Sequence, residues 1–303
     1  MTAEDRTTTP TRPVGAAEAR EAAEPAGGPP AYPDATRADA GLATFSTWRV
    51  GTPERQRAAV DAIAATWQRL PWPTPELLGY SVYTGTDGET LLHYTQWTSE
   101  AAREAYVRAG RQVAHAAEID AAVPGIERDG VTSYRLYRSA FTPGARGPQA
   151  PAVGCAIAVT IDFDGPDEAR LRRWVDGWFD GDEPEVDDFD GLLAAHFHVS
   201  TDGTRVLNYA EWVSAQAHID ALAAMHQDHQ ADDAGEEPDA HEEPDTGRPE
   251  PAQAPRATGD SDSDGDADND QWESQLAFPG LKSTGFQRYH LSWTGTAPRP
   301  DSA

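Results

Sequence analysis

What this 303-residue chain has little of narrows it first. A single cysteine, Cys155, excludes any disulfide within the chain. No run of 18 apolar residues occurs, so the sequence offers no membrane-spanning helix. The N-terminus has no apolar segment of the secretory type after its first charges, which leaves a reducing cytoplasm as the expected location. Basic residues number 24 against 51 acidic ones, a net charge of −27. Without a basic footprint the chain is no phosphate-backbone binder, and neither a nucleic acid nor a membrane is expected as partner. Leu, Ile, Val and Phe are so scarce overall that the average composition reads as disorder.

The scarcity is local. Residues 1–40 hold only Val14 from that set and read as a disordered leader rich in Ala, Pro, Glu and Thr. Residues 140–151 form a Pro/Gly linker. Residues 228–273 hold none of the four and carry 17 acids against Arg248 and Arg256, so they read as a solvated acidic insert. Within it, Asp260-Ser261-Asp262-Ser263-Asp264-Gly265 imitates the opening of an EF-hand calcium loop. Gln271 stands where that loop needs its final Glu, and the imitation stops there.

The two remaining blocks are copies of one another. Residues 86–99, beginning Thr86-Asp87-Gly88 and containing Leu92, His93, Tyr94 and Trp97, lie over residues 201–214 at a constant offset of 115. Thr, Asp, Gly, Leu, Tyr, Trp and Ser coincide, while His93 faces Asn208. Further on, Pro124-Gly125 and Tyr134 match Pro279-Gly280 and Tyr289 at an offset of 155, the difference being the acidic insert. The plan is therefore a first domain over 41–139, the linker, a second over 152–294, and a tail over 295–303.

Each copy reads β-α-β-β-α-β. Val153, Cys155, Ile157, Val159, Ile161 and Phe163 alternate along one strand face. Helices open at Thr52-Pro53 and Gly165-Pro166, with proline in the first turn. Their apolar stripes run through Ala59, Ile63 and Trp67, and through Leu171, Trp174, Val175 and Trp178. Thr-Asp-Gly makes a three-residue hairpin turn, and Ser99 and Ser214 cap the second helices. That order gives an α+β sandwich with helices on one sheet face, and the bare face of each copy must be covered by the other.

The stretch from Phe197-His198 through Asp202-Gly203 to Asn208 and Trp212 resembles the antibiotic biosynthesis monooxygenase family over both copies. The resemblance implies tandem ferredoxin-like domains paired into an intramolecular α+β barrel. It also implies oxidation of phenolic polyketide rings (anthrones, naphthols) to quinones by dioxygen, with no metal, haem or flavin. In that family an Asn and a Trp four residues apart hold the substrate oxygen, here Asn208 and Trp212, with His198 ten residues before the Asn. The first copy carries Tyr83, His93 and Trp97 instead, and the family's tyrosine after the Trp falls on Arg103 and His218.

Alternation puts Asn208 and Trp212 on one face, and a three-residue turn folds His198 beside them. His198 is then the expected base, with amide and indole N–H groups holding the oxyanion. Tyr83, His93, Trp97 and His196 are the expected substrate-binding residues, and Tyr83, His93 and Trp97 form an alternative acid–base cluster. His196 and His198 share a face as metal ligands would, with His226 and His229 on a helix end, but no third ligand follows and no metal is expected. Cys155 reads as an inert buried thiol. A small aromatic molecule is the expected partner, and further self-association is left open. Other chemistries fit the same residues: a ring-opening oxygenase fed by reduced flavin, an acid–base cyclase, a ligand-binding module without catalysis, and a haem-degrading relative.

Overall fold

Alternation along the strands sorts side chains onto two faces, and both faces find cover. The computed structural model of the chain describes residues 31–179, 189–233 and 277–298. It runs β1 (Leu42–Arg49), α1 (Pro53–Arg69), β2 (Leu77–Gly85), β3 (Thr90–Trp97), α2 (Glu100–Arg108), α3 (Gln112–Ala122), β4 (Glu127–Arg128) and β5 (Thr132–Phe141). There follow β6 (Cys155–Phe163), α4 (Glu168–Asp176), β7 (Leu192–Ser200), β8 (Arg205–Trp212), α5 (Ala215–Asp233) and β9 (Leu281–Thr296).

Eight antiparallel strands follow one another in the order β3-β2-β9-β6-β8-β7-β5-β1, and β1 pairs back onto β3. The sheet is thereby barrel-like and closed, which removes the open edges that otherwise invite association. The short β4 sits beside β1. Inward positions carry Phe45, Tyr83, Leu92, Tyr94, Tyr134, Leu207, Tyr209 and Tyr289. Each such buried side chain contributes roughly 2–3 kcal/mol of transfer free energy. The Tyr83 and Tyr209 hydroxyls satisfy one another at 3.1 Å. Outward positions meet the helices: Ile63 and Ala59 of α1 pack over Val82 and Leu91, and Leu171, Trp174 and Val175 of α4 over Ile161 and Val206.

Two seams close the ring. β9 is long enough, at roughly 3.4 Å per residue, to lie along β6 with its first half and along β2 with its second. A bulge between its Leu291 and Trp293 partners turns Trp293 outward beneath α1. A bulge between the partners of Leu136 and Arg138 does the same for Tyr137 where β5 meets β7.

Several details depart from the sequence reading. The hairpin turns take four residues, 86–89 and 201–204, because Asp87 and Asp202 accept from backbone N–H groups beyond the glycine. Gly88 and Gly203 hold the positive φ foreseen for them, 76° and 72°. Thr52 caps α1 with Pro53 in the first turn, but α4 is capped by Asp167, which leaves Pro166 outside the helix. Trp178 lies just beyond the end of α4 and packs on its cluster from there. Val153 precedes β6, and the expected linker's first two residues finish β5.

Residues 31–40 of the expected leader are ordered. Tyr32 packs on Tyr83, Ala35 is buried, and Gln96 donates to the Asp34 carbonyl. At the far end Gly295 and Thr296 pair with β2, so the tail begins later than foreseen. Helix α5 continues through Asp233, six residues into the expected insert, because those residues bring no proline or glycine to stop it. The rest of that insert, residues 234–273, lies outside the described residues. Among the described residues no helix is long and apolar enough to cross a membrane.

Candidate functional site

The four-residue turn decides which side chains meet. It pairs Asn208 with Phe197, and His198 with Leu207. Neighbours directly across a ladder share a face, so Asn208 points outward to the helices while His198 points into the barrel. The convergence of His198 with Asn208 and Trp212 is therefore corrected. The same parity separates Tyr83, which pairs with Leu92 and faces inward, from His93 and Trp97, which face outward. The acid–base cluster of those three is corrected with it.

On the outward C-terminal wall, one row across the strands reads Phe286, Val159, Asn208, Phe197. The Asn208 amide makes no hydrogen bond to the described residues, and its Oδ1 is buried. Leaving such a group unpaired costs about 1–3 kcal/mol. It is one of only two asparagines in the chain. Trp212, four residues along the same face, is buried, and its Nε1–H likewise has no partner. In the N-terminal half the matching Trp97 donates to Thr95 Oγ1 at 2.8 Å, whereas Ala210 stands at the equivalent of Thr95.

Two residues complete this wall that the sequence reading did not place there. Ser214 caps α5 through Ala217 N, which puts His218 one turn in and facing the sheet. Its ring lies 4.9 Å from that of Trp212, and Arg288 Nε donates to its Nδ1 at 3.0 Å. A guanidinium cannot accept, so the neutral imidazole carries its proton on Nε2 and presents a third N–H. Burial, then the Arg288 charge, hold His218 down to about 4. The clue for Arg288 was alternation along β9, which sets Phe286 and Arg288 opposite the inward Tyr289. The wall opens to solvent at Phe286, 47% exposed.

The N-terminal wall is built otherwise. Tyr80 OH lies 2.6 Å from His93 Nδ1, and His93 Nε2 is buried without a partner. The Tyr80 hydroxyl has no other acceptor, so it donates; burial keeps the phenol well above its ordinary pKa and pushes His93 down to about 3, with the Arg128 charge adding to the latter. Trp48 lies 3.9 Å from the His93 ring, and Trp67 and Trp293 flank Tyr80. An open groove of about 420 Å³ between the α1–β2 connection and α2, lined by Thr74, Glu76, Tyr106 and Arg111, holds none of the residues singled out from the sequence.

His196 and His198 belong to the interior. His196 Nδ1 meets Ser139 Oγ at 2.9 Å, and His198 Nδ1 donates to the His196 carbonyl at 2.9 Å. His198 faces a cavity of about 30 Å³, room for one water, closed over by Ala35 and Arg37 of the N-terminal segment. No group of three metal-ligating side chains occurs among the described residues, and the side chains of His226 and His229 lie outside them. Cys155 is buried, and burial raises its thiol pKa.

Burial, then the His196 charge, bring His198 to about 3 from an ordinary 6.5. The fold therefore holds it neutral while the unfolded chain binds a proton below 6.5. Its contribution to stability is full above that value and is lost as pH falls towards 3, at about 1.4 kcal/mol per pH unit. Urea unfolding at pH near 7 and near 5 should show His198→Gln losing less stability on acidification than the parent, by about 2 kcal/mol. Equal losses would show that His198 does not titrate this way.

No family model and no curated protein matches the chain. Its fold does match solved structures. An anthrone oxidase-like protein aligns with a TM-score of 0.53 over 86% of this chain and 95% of its own, at 14% identity. A Listeria monocytogenes ferredoxin-fold protein related to antibiotic biosynthesis monooxygenases aligns over 84% and 96% at 10% identity, with a TM-score of 0.33. A Streptomyces coelicolor monooxygenase solved with nanaomycin D covers 50% of this chain and 92% of its own at 23% identity, with a TM-score of 0.27. At these identities the first likeness establishes the α+β barrel-like fold and nothing about chemistry.

Proposed function

We propose that the chain is an oxygenase that converts a phenolic aromatic substrate of the anthrone or naphthol type to a quinone, with dioxygen and no organic or metal cofactor. The observation that carries this reading is the unpartnered pair on the C-terminal wall, the buried Oδ1 of Asn208 and the buried indole N–H of Trp212, four residues apart on one strand face. Buried polar groups without partners are costly, and a ligand hydroxyl would satisfy both, donating to Oδ1 and accepting from the indole N–H. The anthrone oxidase-like fold agrees with that reading at the level of architecture.

In this reading the Nδ2–H of Asn208, the Trp212 indole and the Nε2–H of His218 hold the phenolic oxygen and stabilise the anion that forms as its proton passes to solvent at the open Phe286 edge of the wall. His198 takes no part. The anion transfers electrons to dioxygen and the ring carbon bonds one oxygen atom, giving a hydroperoxide that loses water. A methylene carbon going to carbonyl yields four electrons and dioxygen takes four, so no outside reductant enters the balance. The apolar neighbours Val159 and Phe197 seat the ring.

We further assign the two halves as tandem ferredoxin-like domains. Sheet irregularities recur between Leu77 and Gly79 and between Leu192 and Ala194, each pair separated by 115, which supports that assignment. The Tyr80–His93 pair favours a second reading for the N-terminal half, acid–base chemistry of the cyclase kind. The discriminating experiment is oxygen uptake and quinone absorbance on a panel of anthrones and naphthols with the protein free of added flavin and haem. Quinone formation with stoichiometric oxygen uptake is expected. Product formed without oxygen uptake would favour the cyclase, and uptake only after adding reduced flavin would remove the cofactor-independent reading.

A further inference from the structure

We propose that Arg288 recognises an acidic group on the substrate, so that the C-terminal wall takes aromatic molecules bearing a carboxylate; the inference rests on the oxygenase reading of that wall. Arg288 shares the outward face and occupies the row of Ile157 and Ala210, between the row of Asn208 and that of Trp212. Its Nε–H is spent on His218, which fixes the guanidinium plane and leaves its outer N–H groups to another acceptor. No carboxylate among the described residues lies within 4.0 Å of it, whereas eleven other arginines are ion-paired.

What sets this cation apart is its place, on the face and within one ring of Trp212. A net charge of −27 repels an anionic ligand at long range, so a local cation is what admits one. The shape fits an aromatic acid. Only the His218 ring separates Arg288 from Trp212, and the exposed Phe286 ring lies 5.0 Å from the guanidinium as an apolar shelf. β9 and β8 are two strands apart, roughly 10 Å, the length of two to three fused rings. A phenolic oxygen at Asn208 and a carboxylate at Arg288 span the wall together.

The test uses two 1,8-dihydroxyanthraquinones that differ only at ring position 3, one bearing a carboxylate and the other a methyl, titrated against the full chain by tryptophan fluorescence. The carboxylated ring is expected to bind about tenfold more tightly, the value of one charge-assisted pair. Arg288→Gln should abolish that preference. Because it also frees His218 Nδ1, any loss of affinity through His218 falls on both rings alike, so the ratio of the two affinities is the readout. Arg288→Lys keeps part of the preference. The preference should also shrink as salt is raised. Equal affinities for the two rings, or a preference that survives Arg288→Gln, overturn the proposal. Asn208→Ala separates the two readings, since it should weaken both rings alike; if neither ring binds the parent protein, the oxygenase reading falls and this proposal with it.

Discussion

Asn208→Ala is expected to lower turnover of a phenolic substrate by at least 100-fold while leaving the melting temperature unchanged or slightly higher. The two halves of that expectation have separate causes. Removing one donor from a developing oxyanion commonly costs 10²–10³ in rate, about 3 kcal/mol of transition-state stabilisation. Removing an amide whose buried Oδ1 has no partner in the fold relieves a desolvation penalty, so stability does not fall. His93→Ala should leave that turnover nearly intact, because His93 lies on the other half's wall. Oxygen consumption by the two variants on one substrate is the measurement. Full activity of Asn208→Ala with loss of activity in His93→Ala would transfer the site to the N-terminal half.

The second large effect is structural. Residues 41–151 expressed alone should not give a stable monomer. They contain β1, β2, β3 and β5, but β2 would lose β9 and β5 would lose β7, leaving two open edges. The inward rings of Phe45, Tyr83, Tyr94 and Tyr134 would lose the residues opposite them. With roughly 1.5–3 kcal/mol of burial forfeited per ring, these four alone give up about 6–12 kcal/mol, as much as the 5–15 kcal/mol by which domains are ordinarily stable. Sedimentation should find dimers or aggregates, as one sheet finds a second copy to close against. A monomer with a cooperative melt would mean that the barrel is two independent folds in contact.

Much of this was legible in the sequence, and the exceptions have one root. Alternation from Cys155 to Phe163, the caps Thr52, Ser99 and Ser214, and the glycines of Thr-Asp-Gly all stand where local chemistry puts them. The site reading failed on parity. A three-residue turn would have set even-numbered residues of β7 and β8 on one face, bringing His198 to Asn208; the four-residue turn sets odd against even. Nothing in β7 itself could correct that, because Leu192–Ser200 is buried throughout. A strand covered on both faces carries no polar–apolar alternation from which to read its orientation. Tyr83 and His93 were misjoined for the same reason, and β2 is nearly as fully buried. That Arg288 meets His218 depends on β9 lying beside β6, a contact across more than 100 residues that no local pattern announces.

The strand that joins the two halves along β2, β9, is made after every other described strand. β2 pairs with residues more than 200 positions later, so on the ribosome the inner face of the N-terminal sheet waits uncovered while those residues are added. At 5–20 residues per second that interval is roughly 10–40 s. Formation of β2, β3 and their hairpin takes microseconds by comparison. The nascent chain therefore passes through a long-lived stage with four preformed strands, a row of bare tyrosines and an unpaired edge, and it is in that interval, before Leu281–Thr296 emerge, that exchange of partners between neighbouring nascent chains competes with closure of the ring.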